Sequence, residues 1–503
     1  MKVGIIKDEL IDYCRVAPFH PGERYPEYPF EGVSDNNSCY RAVRDLFRLI
    51  GMDSANFGSA DWNPLGEIIK PGDHVFIKPN FVRHYNQTGG LEPLITQGSV
   101  IRAVLDYAYI ATKGSVMITI GDSPYLDADF ESVIRQTNLD WVARYYSLQG
   151  ITVKIADLRY YKGSVRLIGG VRREMLPGDN RGYSAVDLKE DSDHYEIIGD
   201  SEKFRNGYYN CQEMLRHHNR ERNEYCIANS ILDADVVINI PKLKTHSKAG
   251  MTCALKNLVG INGLKDWLPH HRAGSAEAGG DDYPSSDLRK DILSRLRDKQ
   301  VVTDSLPYIM PIRAVSALLL ASKKIVPFKD TFEAGGWHGN DTIPRTISDL
   351  NRILLYADKQ GRMTDRPQRK MFVVVDGIVA GEKEGPLIPV PKKCGVLVAG
   401  KNPVEVDLVC SRIMGFDHSK IPTFKYAMLD HKYPLYNGKP ESMEILSKHC
   451  DAFDGIYEAY NCNFEPAAGW KGYIEYNAGK NSTNRVMNAA LCPPQRTQRD
   501  TEG

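Results

Sequence analysis

The sequence predicts an α/β fold, a mainly parallel sheet with helical crossovers that carries irregular and helical insertions. Two observations predict it. Short apolar runs of strand length recur along the chain, and stretches with helical spacing of apolar residues separate them. The first residues, Met1 onward, read as a short strand and lack the apolar core of a signal peptide. Residues 74–77 are a strand, and Ile101, Val104, Leu105 and Ala108 repeat at helical spacing after it. Residues 115–120 form the next strand, Asp127 caps a helix with Phe130, Val133 and Ile134 on its apolar stripe, and residues 151–155 form a third strand.

Residues 160–225 break this rhythm with Arg, Gly, Asp, Asn and Tyr, and read as an irregular insertion or small β excursion. Within them His217 and His218 read as part of a solvated charged face. The sheet pattern returns at 234–240. Residues 263–285 read as a loop, and 287–299, 312–323 and 346–358 as helices. Two further strands follow at 371–375 and 395–399. Asn402, Pro403 and Glu405 then signal a helix start, with Asn at the cap and Pro in the first turn. The tail from Pro493 is polar and reads as frayed. The division expected is an N-terminal extension over 1–72, a core over 73–420 with insertions at about 160–225 and 275–365, and a C-terminal extension over 421–503.

Composition excludes several functions. Lys plus Arg and Asp plus Glu balance at 64 each, so bulk electrostatic binding of nucleic acid or of an anionic membrane is not expected and any positive site must be local. No run approaches the roughly 18 apolar residues of a membrane span. The 10 cysteines are dispersed without Cys-x-x-Cys spacing, which argues against an intrinsic iron–sulfur cluster and for a reduced cytoplasmic setting. A Walker loop, a Gly-x-Ser-x-Gly elbow and a dinucleotide fingerprint are all missing.

Ligands of open parallel sheets bind outside the carboxyl ends of the strands, so the residues there are the candidates. They are Lys78 and Asn80; Asp122 and Ser123; Lys242, Lys244 and His246; Asp376; and Asp407 within the helix after Asn402. Lys242, Lys244 and His246 alternate, so an extended segment projects them from one side. A helix then begins, on which Thr252 and Lys256 share a face and Asn257 follows. His270, His271 and Arg272 lie in the Gly-rich loop and suit either a cover over a substrate or a metal ligand. Lysines beside a helix start suit phosphate or carboxylate. His246, with Lys244 and Lys256, leads the catalytic candidates. Lys78, Asn80, Ser123, Lys242, Asn257, His270, His271 and Arg272 are the substrate-binding set, and Asp122, Asp376 and Asp407 suit a hard divalent cation. Plainer roles stand beside these: Asp122–Ser123 and Asp376–Gly377 are turn sequences, Asp407 complements a helix dipole, and Lys256 snorkels.

These motifs resemble the family catalogued as domain of unknown function 362. The matching pieces are His-Val-Phe-Ile-Lys-Pro-Asn at 74–80, Ile-Gly-Asp-Ser-Pro at 120–124, Pro-Lys-Leu-Lys-Thr-His at 241–246, Leu-Lys-Asn at 255–257, Val-Asp-Gly-Ile-Val at 375–379 and Gly-Lys-Asn-Pro-Val-Glu-Val-Asp at 400–407. The resemblance implies a shared site rather than a named reaction. Some relatives carry ferredoxin-like modules, and this chain lacks their cysteine motif. The first expectation is therefore an enzyme acting on a small anion, phosphorylated or carboxylated, with a divalent metal allowed. The alternatives are a redox accessory protein, a non-catalytic ligand-binding or scaffold protein whose Tyr-rich insertion meets a protein partner, and a racemase or epimerase with a bound cofactor.

Overall fold

A computed structural model describes residues 2–114, 117–165, 171–303 and 305–477. Its centre is a ten-stranded sheet. The strands are β1 (Lys2–Lys7), β2 (His74–Pro79), β3 (Met117–Asp122), β4 (Val153–Asp157), β5 (Val236–Ile240), β6 (Lys242–His246), β7 (Gly250–Thr252), β8 (Lys370–Glu382), β9 (Val390–Gly400) and β10 (Glu444–Leu446). The order across the sheet is β10-β1-β9-β8-β5-β2-β3-β4, with β6 and β7 continuing beside the outer half of β8. Strands β8, β5, β2, β3 and β4 run parallel, whereas β9 is antiparallel to both its neighbours.

Parallel strands are covered on both faces, and the residue pattern shows it. Val236, Ile238 and Ile240 of β5 join one apolar cluster and Val237 the other; Phe372 and Val374 of β8 divide from Val373 and Val375 in the same way. The first cluster includes buried residues of α1 (Ser38–Leu49) and α2 (Gly98–Thr112). The second includes residues of α6 (Thr342–Tyr356) and α7 (Pro403–Met414). Asn402 caps α7 as expected, its side chain accepting from Val404 and Glu405 N–H. A short helix, α3 (Ala254–Asn257), packs in the second cluster against α6 and α7. The late insertion forms α4 (Leu288–Val301) and α5 (Leu306–Ser322).

The structure corrects several local expectations. The helix after β3 is capped by Asp129 rather than Asp127, which pairs with Arg83. Thr252 ends β7 and is not on a helix; α3 starts only at Ala254, where Asp407 rather than a preceding side chain receives its first N–H groups. His218 is buried, its Nε2 2.8 Å from the Trp267 carbonyl, and His217 pairs with Glu224, so neither is a solvated face. The 160–225 insertion contains short β pieces, among them Tyr161–Val165, Val171–Met175 and Tyr183–Asp187. Residues 115 and 116 of the strand expected over 115–120, and the tail from Pro493, lie outside the described residues.

Candidate functional site

At the carboxyl ends of β2, β5 and β3 the apolar runs stop and polar side chains take over. Lys78 Nζ meets Asp122 Oδ1 at 2.7 Å, both groups buried. The other oxygen of Asp122 accepts from Phe81 N–H at 2.6 Å, so the carboxylate also ties down the chain after β2. Gly260 lies against this pair. A Cβ there would come within 2.1 Å of Asp122 Oδ1 and 2.7 Å of Lys78 Nζ, which is why the position tolerates no side chain.

A ladder of amides ties the neighbouring strands to α3. Asn239 donates to the Ala254 carbonyl at 2.9 Å and accepts from Asn257 Nδ2 at 2.7 Å. Asn257 Nδ2 also donates to the Lys78 carbonyl, and Asn257 Oδ1 accepts from Asn80 Nδ2 at 3.0 Å. Asn80 Oδ1 in turn accepts from Lys244 Nζ at 3.1 Å. Buried and fully paired amides of this kind fix one geometry. The start of α3 is held by Asp407, which accepts from Ala254 N–H at 2.6 Å and Leu255 N–H at 3.0 Å. Burial outweighs those bonds and pushes the Asp407 carboxyl up to about 7.

The alternating cations of β6 do not share one destination. The β6–β8 register shifts between Lys242, opposite Asp376, and Lys244, opposite Gly381. Lys242 Nζ pairs with Asp376 Oδ2 at 2.7 Å and donates to Tyr13 OH at 2.8 Å, fully buried. Asp376 also accepts from Tyr13 OH and from Gln97 N–H. Asp122, Asp376 and Asp407 thus belong to three separate networks rather than one set. Among the described residues no group of three or more His, Cys, Asp or Glu side chains is arranged to hold a metal.

Beyond the bulge, a cavity of about 230 Å³ opens. Asn80, Asp122, Ser123, Lys244, His246, Lys256, Asn257 and His270 line it, which brings most of the expected residues together. Lys78 lies just behind the wall through its pair with Asp122. His271 and Arg272 face elsewhere: His271 Nε2 is 4.0 Å from Asp282, and Arg272 Nε is 3.7 Å from Asp281. The same cavity is lined by Lys248, Thr252, Tyr209 and Lys265, which the sequence reading left out of the site. Lys248 extends the alternate spacing of Lys244 and His246 and was findable. Tyr209 and Lys265 come from segments without period, and nothing in the sequence marks them.

Charge in this cavity is one-sided. Lys244, Lys248, Lys256 and Lys265 make no ion pair with a carboxylate among the described residues, and Asp122 is already held by Lys78. Lys244 donates only to neutral oxygens, those of Asn80, Leu94 and Pro386. Burial, then Lys242 and Lys256, hold its ammonium well below the usual lysine range. Burial, with nearby cations, lowers Lys256 to about 8; burial lowers Lys248 to about 8 and Lys265 to about 7. The hydroxyls of Ser123, Thr252 and Tyr209 are buried in the lining without a hydrogen-bond partner.

The two histidines are set in opposite tautomers. His246 Nδ1 accepts from the Lys248 and Ala249 N–H groups at 3.0 and 3.1 Å, so its proton is on Nε2. His270 Nδ1 lies 2.9 Å from the Leu268 carbonyl and must donate, which leaves a lone pair on Nε2. Burial, then the surrounding lysines, hold both rings well below the usual histidine range and hence neutral. The cavity therefore presents one imidazole as a donor and one as an acceptor.

A larger groove, about 780 Å³, runs beside the edge strand β4. Its arginines and Lys162 are partnered, Arg159 with Asp157, Arg181 with Asp233 and Lys162 with Glu174, and its remaining lysine, Lys154, is exposed to solvent. The smaller cavity is the better candidate for that reason.

Residues 195–412 match the model of the family described as "Domain of unknown function (DUF362)". The match contains β5 to β9 and α7 up to Arg412, with Lys244, His246, Lys256, His270 and Asp407. The chain is also similar to the thylakoid-associated protein sll1697 of Synechocystis sp., 27% identical over 216 residues, which is 42% of this chain and 46% of that one. The similarity thus spans about half the length of the relative. No solved structure matches.

Proposed function

We infer that the protein is an enzyme that binds a small phosphorylated or carboxylated molecule in the cavity at the strand ends. The observation that carries this reading is the set Lys244, Lys248, Lys256 and Lys265 around one cavity, without carboxylate partners among the described residues. Lys244 is buried and the other three are half-buried; charge so placed is costly unless it is paired, and an anion from outside completes the pairing. The unpartnered hydroxyls of Ser123, Thr252 and Tyr209 supply further donors to the same oxygens. In this reading His270 Nε2 accepts a proton from the bound molecule and His246 Nε2–H donates to oxygen on it. Anion binding cancels the lysine field that lowers His270, so the base strengthens when the substrate arrives. Asp407 and the asparagine ladder position Lys256 and Asn257 through α3. The nine described cysteines are free thiols, which supports placing the protein in a reducing, cytoplasmic setting.

The test is native mass spectrometry of protein purified without added ligand, followed by calorimetric titration with inorganic phosphate and citrate. A mass adduct or a saturable heat that is lost in Lys256→Ala supports the reading. Absence of any adduct together with no phosphate or citrate binding refutes it.

A further inference from the structure

The late insertion carries a surface unlike the rest of the molecule. On α5, Leu306, Tyr308, Met310, Val315, Leu318 and Leu320 are exposed, and only Ile309 and Ile312 are buried. In the turn that follows, Ile325 is 86% exposed and Val326 60%. At a helix's rotation per residue the exposed set spreads round most of the circumference instead of forming one stripe. A helix that is apolar all round is ordinarily enclosed, yet this one projects.

Its charge is equally distinctive. Residues 305–329 contain Arg313, Lys323, Lys324 and Lys329 and no Asp or Glu, in a chain whose basic and acidic residues balance at 64 each. Lys323, Lys324 and Lys329 are exposed. Alpha5 has 17 residues, and no helix among the described residues is long and apolar enough to cross a membrane. Exposed apolar side chains with lysines beside them suit a bilayer interface, the apolar groups in the acyl boundary and the ammonium groups at the headgroups.

We propose that this ridge seats the protein peripherally on an anionic lipid surface. The exposed circumference selects lipid over a folded partner, because a protein surface covers one face of a helix and a fluid wraps it. A second copy fits poorly, since a self-complementary contact would bring the cations of both chains together with no acid in either segment.

The test is flotation of the full chain with phosphatidylcholine vesicles, with and without phosphatidylglycerol, at low and high salt. Binding is expected only with phosphatidylglycerol and is expected to weaken with salt. The pair Leu318→Ser with Ile325→Ser and the pair Lys323→Glu with Lys324→Glu should each weaken it at least about tenfold. Both variants should melt as the parent does, since all four side chains are exposed. No flotation, or flotation indifferent to both variants, overturns the proposal. So does dimerisation in sedimentation equilibrium that Leu318→Ser abolishes while vesicles fail to bind, which gives the surface to a second copy.

Discussion

Raising the pH should empty the cavity of anions. Lys248 and Lys256 are lowered to about 8 and Lys265 to about 7. An amine with a pKa of about 8 is about nine-tenths charged at pH 7 and about one-tenth charged at pH 9. If the anion needs it charged, the apparent affinity falls about tenfold over that interval, and about a hundredfold if Lys248 and Lys256 are both required. Reprotonation costs about 1.4 kcal/mol per pH unit per amine, whereas binding beside a neutral amine gives up about 4 kcal/mol of attraction at 4 Å in a half-screened site. Proton uptake is therefore the cheaper route, and the steep dependence follows. Sulfate is the probe, because its charge is constant over this range, and calorimetry in buffers of different ionisation heat counts the protons taken up. Lys248→Met should weaken sulfate binding at pH 7 yet move the midpoint upward, since Lys248 is the strongest charge lowering Lys256. Sulfate affinity that is flat from pH 7 to 9, with no proton uptake, would refute the reasoning.

Three other outcomes are expected. Asp376→Asn leaves Lys242 buried without a counter-charge and should cost about 3–5 kcal/mol in urea unfolding, with little change in sulfate affinity if the refolded site is intact. Gly260→Ala drives a methyl into the Lys78–Asp122 pair; it should cost about 1–3 kcal/mol in thermal unfolding and also weaken sulfate binding. In nitrogen NMR of labelled histidines, His246 should appear as the Nε2–H tautomer and His270 as the Nδ1–H tautomer, neither titrating near pH 6.5. Finding His246 protonated at that pH, or His270 as the Nε2–H tautomer, would contradict the tautomers drawn from their backbone contacts.

The α/β sheet was legible because a two-sided core leaves a plain trace: Val236, Val237 and Ile238 are all apolar since both faces of β5 are covered. The candidate site was legible in part for a related reason, as the ends of such strands must turn polar. What stayed hidden depends on register. Alternation places Lys242 beside Lys244, and only the bulge against β8 separates them. Asp122, Asp376 and Asp407 look alike in the sequence, yet each answers a different local demand: a lysine, a lysine with a tyrosine, and the open N–H groups of α3. Tyr209 and Lys265 enter the cavity from irregular segments, whose course is set by tertiary packing and not by period.

Strand β1 pairs with β9, so Val3 lies opposite Gly400 and Ile5 opposite Val398. Tyr13 likewise reaches Lys242 and Asp376, and Trp470 reaches the Ser247 carbonyl at 2.6 Å beside the cavity. In synthesis β1 therefore emerges long before β9 and stays unpaired while the strands between them are made. Contacts so distant in sequence slow folding and leave apolar edges open in the interval. Until β9 is made, the open edge of β1 is the part of the nascent chain most prone to pair wrongly.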